Sequence, residues 1–370
     1  MSPQISPIAD TTQDLELTER LIAPDGTRQK NPDLDPFVAD VDAAQLRSLH
    51  HDMVMLRRLD AEGIALQRQG QLGLWAPCNG QEAAQIGTAR AIDPIDFVFP
   101  SYRETGVIYA RGAKPGDFVR VWRGEEGAPF DPQEMRVAPL QIIIGAQTLH
   151  AVGYAMGIKH EKAPEVAVTY FGDGATSQGD VNEAMIFAAS YQAPVVFVCQ
   201  NNHWAISEPV ALQSQYPIAG RAPGFGIPSV RVDGNDVLAC MAAMRWALAH
   251  ARAGKGPVFI EAVTYRMGPH TTADDPTRYR DPAELELWRT RDPIARLEAH
   301  LRAAGELDDE QIAAAHADAD VFARKMRAEC LGMVTREPLA VFDGVYAEPH
   351  IGLERQRDEY ASYLATFEEV

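Results

Sequence analysis

Apolar residues recur at helical spacing from Ala43 to Gln69, where Leu46, Leu49, Met53, Leu56 and Leu59 mark one face of a long amphipathic helix. Residues Gly80 to Ala91 read as a second helix. Further on, the pattern changes to short, nearly continuous apolar runs. Glu165 to Phe171 (EVAVTYF) is one such run and Ala193 to Cys199 (APVVFVC) the next, each suited to a strand buried on both faces. Gly172-Asp173-Gly174 ends the first run, and Asp180 to Tyr191 reads as the intervening helix. After Asn201 come a loop rich in Gly and Pro, a strand at Ser229 to Val232, a helix from about Asp236 to Ala253 and a strand at Pro257 to Tyr265. This rhythm predicts an α/β fold, a mostly parallel sheet with helices on both faces. In such sheets ligands bind outside the carboxyl ends of the strands.

The flanks differ from this body, which is expected to span residues 43–290. Residues 1–42 are polar and broken by Pro24, Pro32 and Pro36, and predict an extended arm, packed on another subunit or disordered. Gly268 to Pro282 is a polar, proline-broken loop of the kind that orders on binding. A helical C-terminal extension is expected over 291–370, with Leu297, Leu301, Ile312 and Phe322 as its buried positions.

Composition narrows the class. With 46% hydrophobic and 23% charged residues among 370, the chain reads as a globular protein with a large core. No run approaches the ~18 apolar residues of a spanning helix. The start of the chain has neither a basic cluster nor an apolar run, so a cytoplasmic protein is expected. Cys78, Cys199, Cys240 and Cys330 are widely spaced, which predicts idle buried thiols rather than a zinc site or disulfides. A formal charge of −18 argues against a nucleic-acid partner.

The candidate chemistry lies at two strand ends. Asp173 and Asn202 are 29 residues apart, the length of one strand–helix–strand step, so a right-handed crossover puts both at the same sheet edge. A carboxylate and an amide oxygen suit a hard divalent ion such as magnesium, which retains sites for phosphate oxygens and water. Gly172 and Gly174 let backbone amides approach a pyrophosphate, with a helix N-terminus following.

GDG, one such step and then NN resembles the thiamine diphosphate motif. The longer stretch GDGATSQGDVNEAMIFAASYQAPVVFVCQNN resembles the alpha subunit of pyruvate and branched-chain 2-oxo acid dehydrogenases. PSYRETGV (100–107), IGAQ (144–147), SVRVDGNDV (229–237) and TYRMGPHTTADDPTRYR (264–280) extend the likeness across roughly residues 45–330.

The resemblance implies a thiamine-diphosphate-binding fold and two cofactors, thiamine diphosphate and Mg2+. Asp173 and Asn202 then match the side-chain magnesium ligands, and Trp204 the position whose backbone carbonyl completes the set. Tyr102, Arg103, Ile144, Gly172, Asp173, Gly174, Ala175, Asn202, Arg266 and His270 match cofactor-binding positions. Arg103 and Arg266 are expected on the diphosphate and Ile144 under the aminopyrimidine. His270 matches the active-site histidine of the mobile loop, a residue type suited to proton exchange near neutral pH. His203 is left out of the metal site, because imidazole suits magnesium poorly; His150 stays undecided. Thr271 stands where animal relatives carry a phosphorylated serine, so control by that route is not expected.

The implied reaction is decarboxylation of a small 2-oxo acid with acyl transfer to a lipoyl group. The implied partners are a beta subunit, giving a two-alpha, two-beta tetramer, and a lipoyl-bearing dihydrolipoyl acyltransferase core. The activating glutamate of these enzymes comes from the beta chain, and Glu82 in GQEA is the nearest acid here. YRETG, VDGNDV and HTTADDPTRYR look closer to the branched-chain type, whereas IGAQ is nearer the pyruvate type. Acetoin cleavage, a catalytically silent cofactor-binding scaffold and an assembly adapter remain as alternatives.

Overall fold

In the computed structural model, residues 18–125 and 129–368 are described. They form two compact units, one ending at Cys330 and one comprising Leu331–Val370. The first unit begins with helices α1 (Ala43–Arg68) and α2 (Glu82–Ala89), strand β1 (Phe97–Phe99), and short helices α3 (Thr105–Ala110) and α4 (Asp117–Arg123). Then come α5 (Ala146–Glu161), β2 (Ala167–Gly172), α6 (Gly179–Tyr191), β3 (Val195–Asn201), β4 (Ser229–Asp233), α7 (Val237–Arg252) and β5 (Val258–Val263). Helices α8 (Pro282–Arg289), α9 (Pro293–Ala303) and α10 (Asp309–Gly332) follow. The strands pair in the order β1-β2-β3-β5-β4, all parallel. The expected α/β architecture is what folds.

The unbroken apolar runs follow from burial on both faces. On one face Val168 and Tyr170 of β2, Val196 and Val198 of β3, and Val258 and Ile260 of β5 join a core packed by α1, α2 and α7. Their alternate neighbours Ala167, Phe171, Val195, Phe197 and Phe259 enter a second core under α5 and α6. Each such valine contributes roughly 1.5–3 kcal/mol by leaving water, so a charge at any of these positions would be severe. The four cysteines are free and buried.

Two boundaries differ from the sequence expectation. Residues 1–17 lie outside the described residues, and residues 18–42 pack in part into the chain's own core. Leu21 and Ile22 are buried in the first core, and Asp236 Oδ2 accepts both of their backbone N–H groups at 2.6 Å. At the other end, the division expected at 290/291 falls at 330/331. The helical region breaks at Gly305 (φ 71°), and α10 then buries Ala315, Ala319, Ala323, Met326 and Cys330 as one stripe. Ile312 and Phe322, expected in the core, pack at its margin instead. Arg58 and Arg327 bind Glu62 of α1 from the two sides, fixing α10 through Arg327. The second unit comprises a 3-10 turn at Pro338–Phe342 and helix α11 (Ile351–Glu368), tied by an Arg357–Asp343 ion pair at 2.7 Å.

Candidate active site

The carboxyl ends of β2 and β3 lie side by side, with Gly172 opposite Gln200. Asp173 and Asn202 therefore emerge together: Asp173 Oδ1 accepts the Asn202 backbone N–H at 3.2 Å. Asp173 Oδ2 accepts from Gln213 Nε2 at 3.3 Å. The chain turns back after Asn202 through left-handed backbone at His203 (φ 71°) and Ile206 (φ 56°), an uncommon conformation for residues with a side chain. This turn brings Ala205 so near that a Cβ on Gly174 would sit 2.7 Å from the Ala205 Cβ. Gly172, by contrast, has open space beside it and faces the cleft. Gly174 is required by packing, whereas Gly172 leaves room for a ligand.

The cleft at this edge has a volume of about 380 Å³. Tyr102, Arg103, Ile144, Gly172, Asp173, Gly174, Ala175, Asn202, Trp204 and His270 all line it. Ten of the positions singled out from the sequence thus converge on one cavity. Arg266 is the exception. It is completely buried behind the wall, where it donates to the carbonyls of Trp204 at 3.1 Å and Ile206 at 2.8 Å. A 3-10 turn at Asp173–Ser177 follows Gly172 and includes Gly174, and α6 begins only at Gly179. His150 is exposed and does not line the cleft, and the His203 ring turns away to the Thr264 carbonyl at 2.7 Å. Thr271 lines the cleft, and its hydroxyl accepts the Ala273 N–H at 3.3 Å.

The residues fit a divalent cation. Asp173 is 1% exposed, and burial holds its pKa above the ordinary carboxylate range. Its direct hydrogen-bond donors are neutral amides, so an ionised Asp173 calls for a cation at this place. Among the described residues no group of three or more His, Cys, Asp and Glu side chains could hold a metal. An ion here would need the mixed oxygen set of the Asp173 carboxylate, the Asn202 amide and the Trp204 carbonyl, which suits hard magnesium.

His270 lines the cleft with its ring nitrogen held by two guanidiniums. Its Nδ1 receives Arg103 Nη2 at 3.1 Å and faces Arg266 Nη1 at 3.3 Å. A guanidinium only donates, so Nδ1 is the acceptor and the ring proton sits on Nε2. Burial, reinforced by Arg103 and then Arg266, lowers the His270 pKa to about 3. A neutral His270 held this way can offer its Nε2–H as a hydrogen-bond donor. Its loop is laced down by its own contacts: Asp274 accepts the His270 N–H at 2.7 Å and the Tyr279 hydroxyl at 2.5 Å. Arg266 donates to the same hydroxyl at 2.8 Å.

This arrangement predicts a titration. In the wild type the His270 ring signal in NMR should stay flat from pH 5 to 8. Arg103→Met removes one guanidinium and should move the midpoint upward by at least about one pH unit. An unmoved midpoint in the variant would take Arg103 out of the tautomer's control.

Sequence reasoning missed a ring of polar residues in the cleft wall. Gln200 donates to Glu104 Oε1 at 2.6 Å, and burial pushes the Glu104 pKa up to about 7. Glu104 Oε2, Gln200 Oε1, Gln147 Oε1 and Gln81 Nε2 are buried without a hydrogen-bond partner, and all four residues line the cleft. The available signal was Gln200 itself, a polar residue closing the apolar run VVFVC.

Comparison with known proteins bears on this geometry. The profile of the family described as "Dehydrogenase E1 component" matches residues 50–325. The chain belongs to that family. It is 47% identical over 360 residues to the 3-methyl-2-oxobutanoate dehydrogenase subunit alpha of Mycobacterium tuberculosis, covering 95% of each chain. To the pyruvate dehydrogenase E1 component subunit alpha of Acholeplasma laidlawii it is 40% identical over 323 residues, 86% of this chain and 93% of the relative. With the Staphylococcus epidermidis protein of the same name the figures are 43% over 277 residues, 74% of each chain. The reading drawn from the motifs, the alpha chain of a 2-oxo acid dehydrogenase, stands. The E1 family is thiamine-diphosphate dependent, and an alpha chain implies a partner subunit. No helix among the described residues of this E1 chain is long and apolar enough to cross a membrane.

Proposed function

We propose that this E1 alpha chain serves a dehydrogenase of branched-chain 2-oxo acids such as 3-methyl-2-oxobutanoate, working with thiamine diphosphate and Mg2+. The observation that carries the reading is the convergence of Asp173, Asn202, Arg103 and His270 on one cleft at the carboxyl edge of a parallel sheet. Asp173, Asn202 and the Trp204 carbonyl would hold the magnesium. Arg103, with Arg266 behind it, would balance the diphosphate charge left over by one divalent ion. Tyr102, Ile144 and the Gly172–Ala175 turn would shape the cofactor's seat. When bound, thiamine diphosphate supplies the electron sink that lets a 2-oxo acid lose carbon dioxide.

The chain's own work is then binding, orientation and exclusion of water. His270 offers an Nε2–H to the substrate carboxylate or to the acyl group in transit. The proposed assembly is a tetramer of two alpha and two beta subunits, and the acyl acceptor is the lipoyl arm of a dihydrolipoyl acyltransferase core. A silent scaffold has no use for a buried Asp173 or a histidine held between two arginines.

Branched-chain substrates are favoured by YRETG, VDGNDV and HTTADDPTRYR, and by the name of the 47% identical relative. Pyruvate is the second reading, supported by IGAQ and by the names of the 40–43% identical relatives. The test is a substrate panel on this chain reconstituted with its beta partner. The kcat/KM for 3-methyl-2-oxobutanoate should exceed that for pyruvate by about tenfold or more. A preference for pyruvate would give the chain to the second reading.

A further inference from the structure

The cleft has two ends of different chemistry. At one end are Asp173, Asn202 and the glycine turn. His270 and Arg103 stand between this end and the segment 74–77, because Arg103 Nη1 donates to the Pro77 carbonyl at 2.5 Å while Nη2 holds His270. The loop carrying His270 is tied to the same segment: Thr272 N–H donates to the Trp75 carbonyl at 2.9 Å, and Trp75 N–H to Thr272 Oγ1 at 3.1 Å. Around this second end the lining side chains are Leu74, Ala76 and Trp122, none of them charged.

Trp122 is the largest of these and the best supported from behind. Its ring lies 6.2 Å from that of Trp75, tilted by 58°. Trp75 is 1% exposed, and its Nε1–H is held by Asp60 Oδ1 at 2.9 Å. The Trp122 backbone is pinned as well, its carbonyl accepting the Gly73 N–H at 2.9 Å. Half-buried and backed by a fixed indole, Trp122 cannot recede when something larger presses on it.

We infer that Trp122 is a specificity-determining residue, the end wall against which the aliphatic chain of the 2-oxo acid packs. This rests on the functional reading above, which makes the substrate a small 2-oxo acid. The carboxylate of such a substrate needs a donor, and the donor next to the apolar end is His270 Nε2–H. With its carboxylate there, the chain of the substrate can leave water against Leu74, Ala76 and Trp122. A fixed wall at that end sets the longest chain admitted. A single methylene in such a pocket changes kcat/KM by roughly 10–200-fold.

The test uses the reconstituted alpha–beta enzyme with pyruvate, 3-methyl-2-oxobutanoate, 4-methyl-2-oxopentanoate and 3-phenyl-2-oxopropanoate. Trp122→Ala should raise kcat/KM for the phenyl compound relative to 3-methyl-2-oxobutanoate by about tenfold or more. Trp122→Phe should move the ratio the same way but less, and thiamine diphosphate affinity should stay unchanged in both. Should Trp122→Ala fail to assemble, Trp122→Phe and Leu74→Ala carry the same comparison. An unmoved ratio in variants that bind cofactor normally would overturn the wall and leave the functional reading standing. Turnover of none of the four acids by the wild type would instead overturn that reading, and the wall with it.

Discussion

Asp173→Asn is expected to make the cofactor-free chain more stable and at the same time to abolish its response to thiamine diphosphate and magnesium. Both effects come from one carboxylate. Burial raises the Asp173 pKa in the fold above its unfolded value. Between those two values the unfolded chain gives up its proton first, so stability falls as pH rises from the ordinary carboxylate range through the folded pKa. Asparagine has the same shape and no charge to bury. Its Oδ1 can still accept the Asn202 N–H, and the gain at neutral pH should be about 1 kcal/mol or more. The loss is larger. An oxygen proposed to ligate the metal should matter more than an outer-shell partner, whose removal typically costs about 10–100-fold in metal affinity. Wild-type chain at about a hundred times Kd of cofactor gains roughly 2.7 kcal/mol, and the variant should gain none. Thermal melts with and without cofactor, paired with calorimetry, read both signs. Unchanged cofactor affinity in Asp173→Asn would remove this residue from the metal site.

That two neighbouring strand ends should carry the site was legible because the signals were local. EVAVTYF and APVVFVC are almost continuously apolar since both faces of the sheet are covered; GDG follows the first run directly and NN follows the second after Gln200. What escaped depends on partners far away in the chain. Leu21 and Ile22 are only two apolar residues among polar ones, and Asp236, more than two hundred positions on, binds their N–H groups while also capping α7 through Oδ1. No window of sequence around Leu21 contains that carboxylate. The state of His270 was hidden for the same reason: Arg103 lies 167 positions before it and reaches it only through the fold. A histidine in a polar loop reads as a titrating group until two guanidiniums are found on the same ring nitrogen. Glu104 sits inside a recognised motif, PSYRETGV, yet only the placement of Gln200 opposite it shows that its carboxyl is buried in the cleft wall.

The missing acid leads to the second large effect, which is that this chain alone should not turn over a 2-oxo acid. Thiamine-dependent decarboxylation needs a carboxylate at the aminopyrimidine, and on the proposed assembly the beta chain supplies it. The structure removes the nearest sequence candidate on this side. Glu82 is fully buried, held by Arg57 Nε at 2.8 Å and the Gly80 N–H at 2.9 Å, and it does not line the cleft. Among the described residues the glutamate that does line it is Glu104, with Oε1 engaged by Gln200. General acid–base help of this kind is worth roughly 10²–10⁴-fold in rate. The purified chain, saturated with cofactor and magnesium, should therefore reduce an artificial electron acceptor at least about a hundredfold more slowly than the alpha–beta assembly. Glu104→Gln supplies the control. If the isolated chain works at the rate of the assembly, the partner-borne acid is ruled out, and loss of that activity in Glu104→Gln would identify the carboxyl that had taken its place.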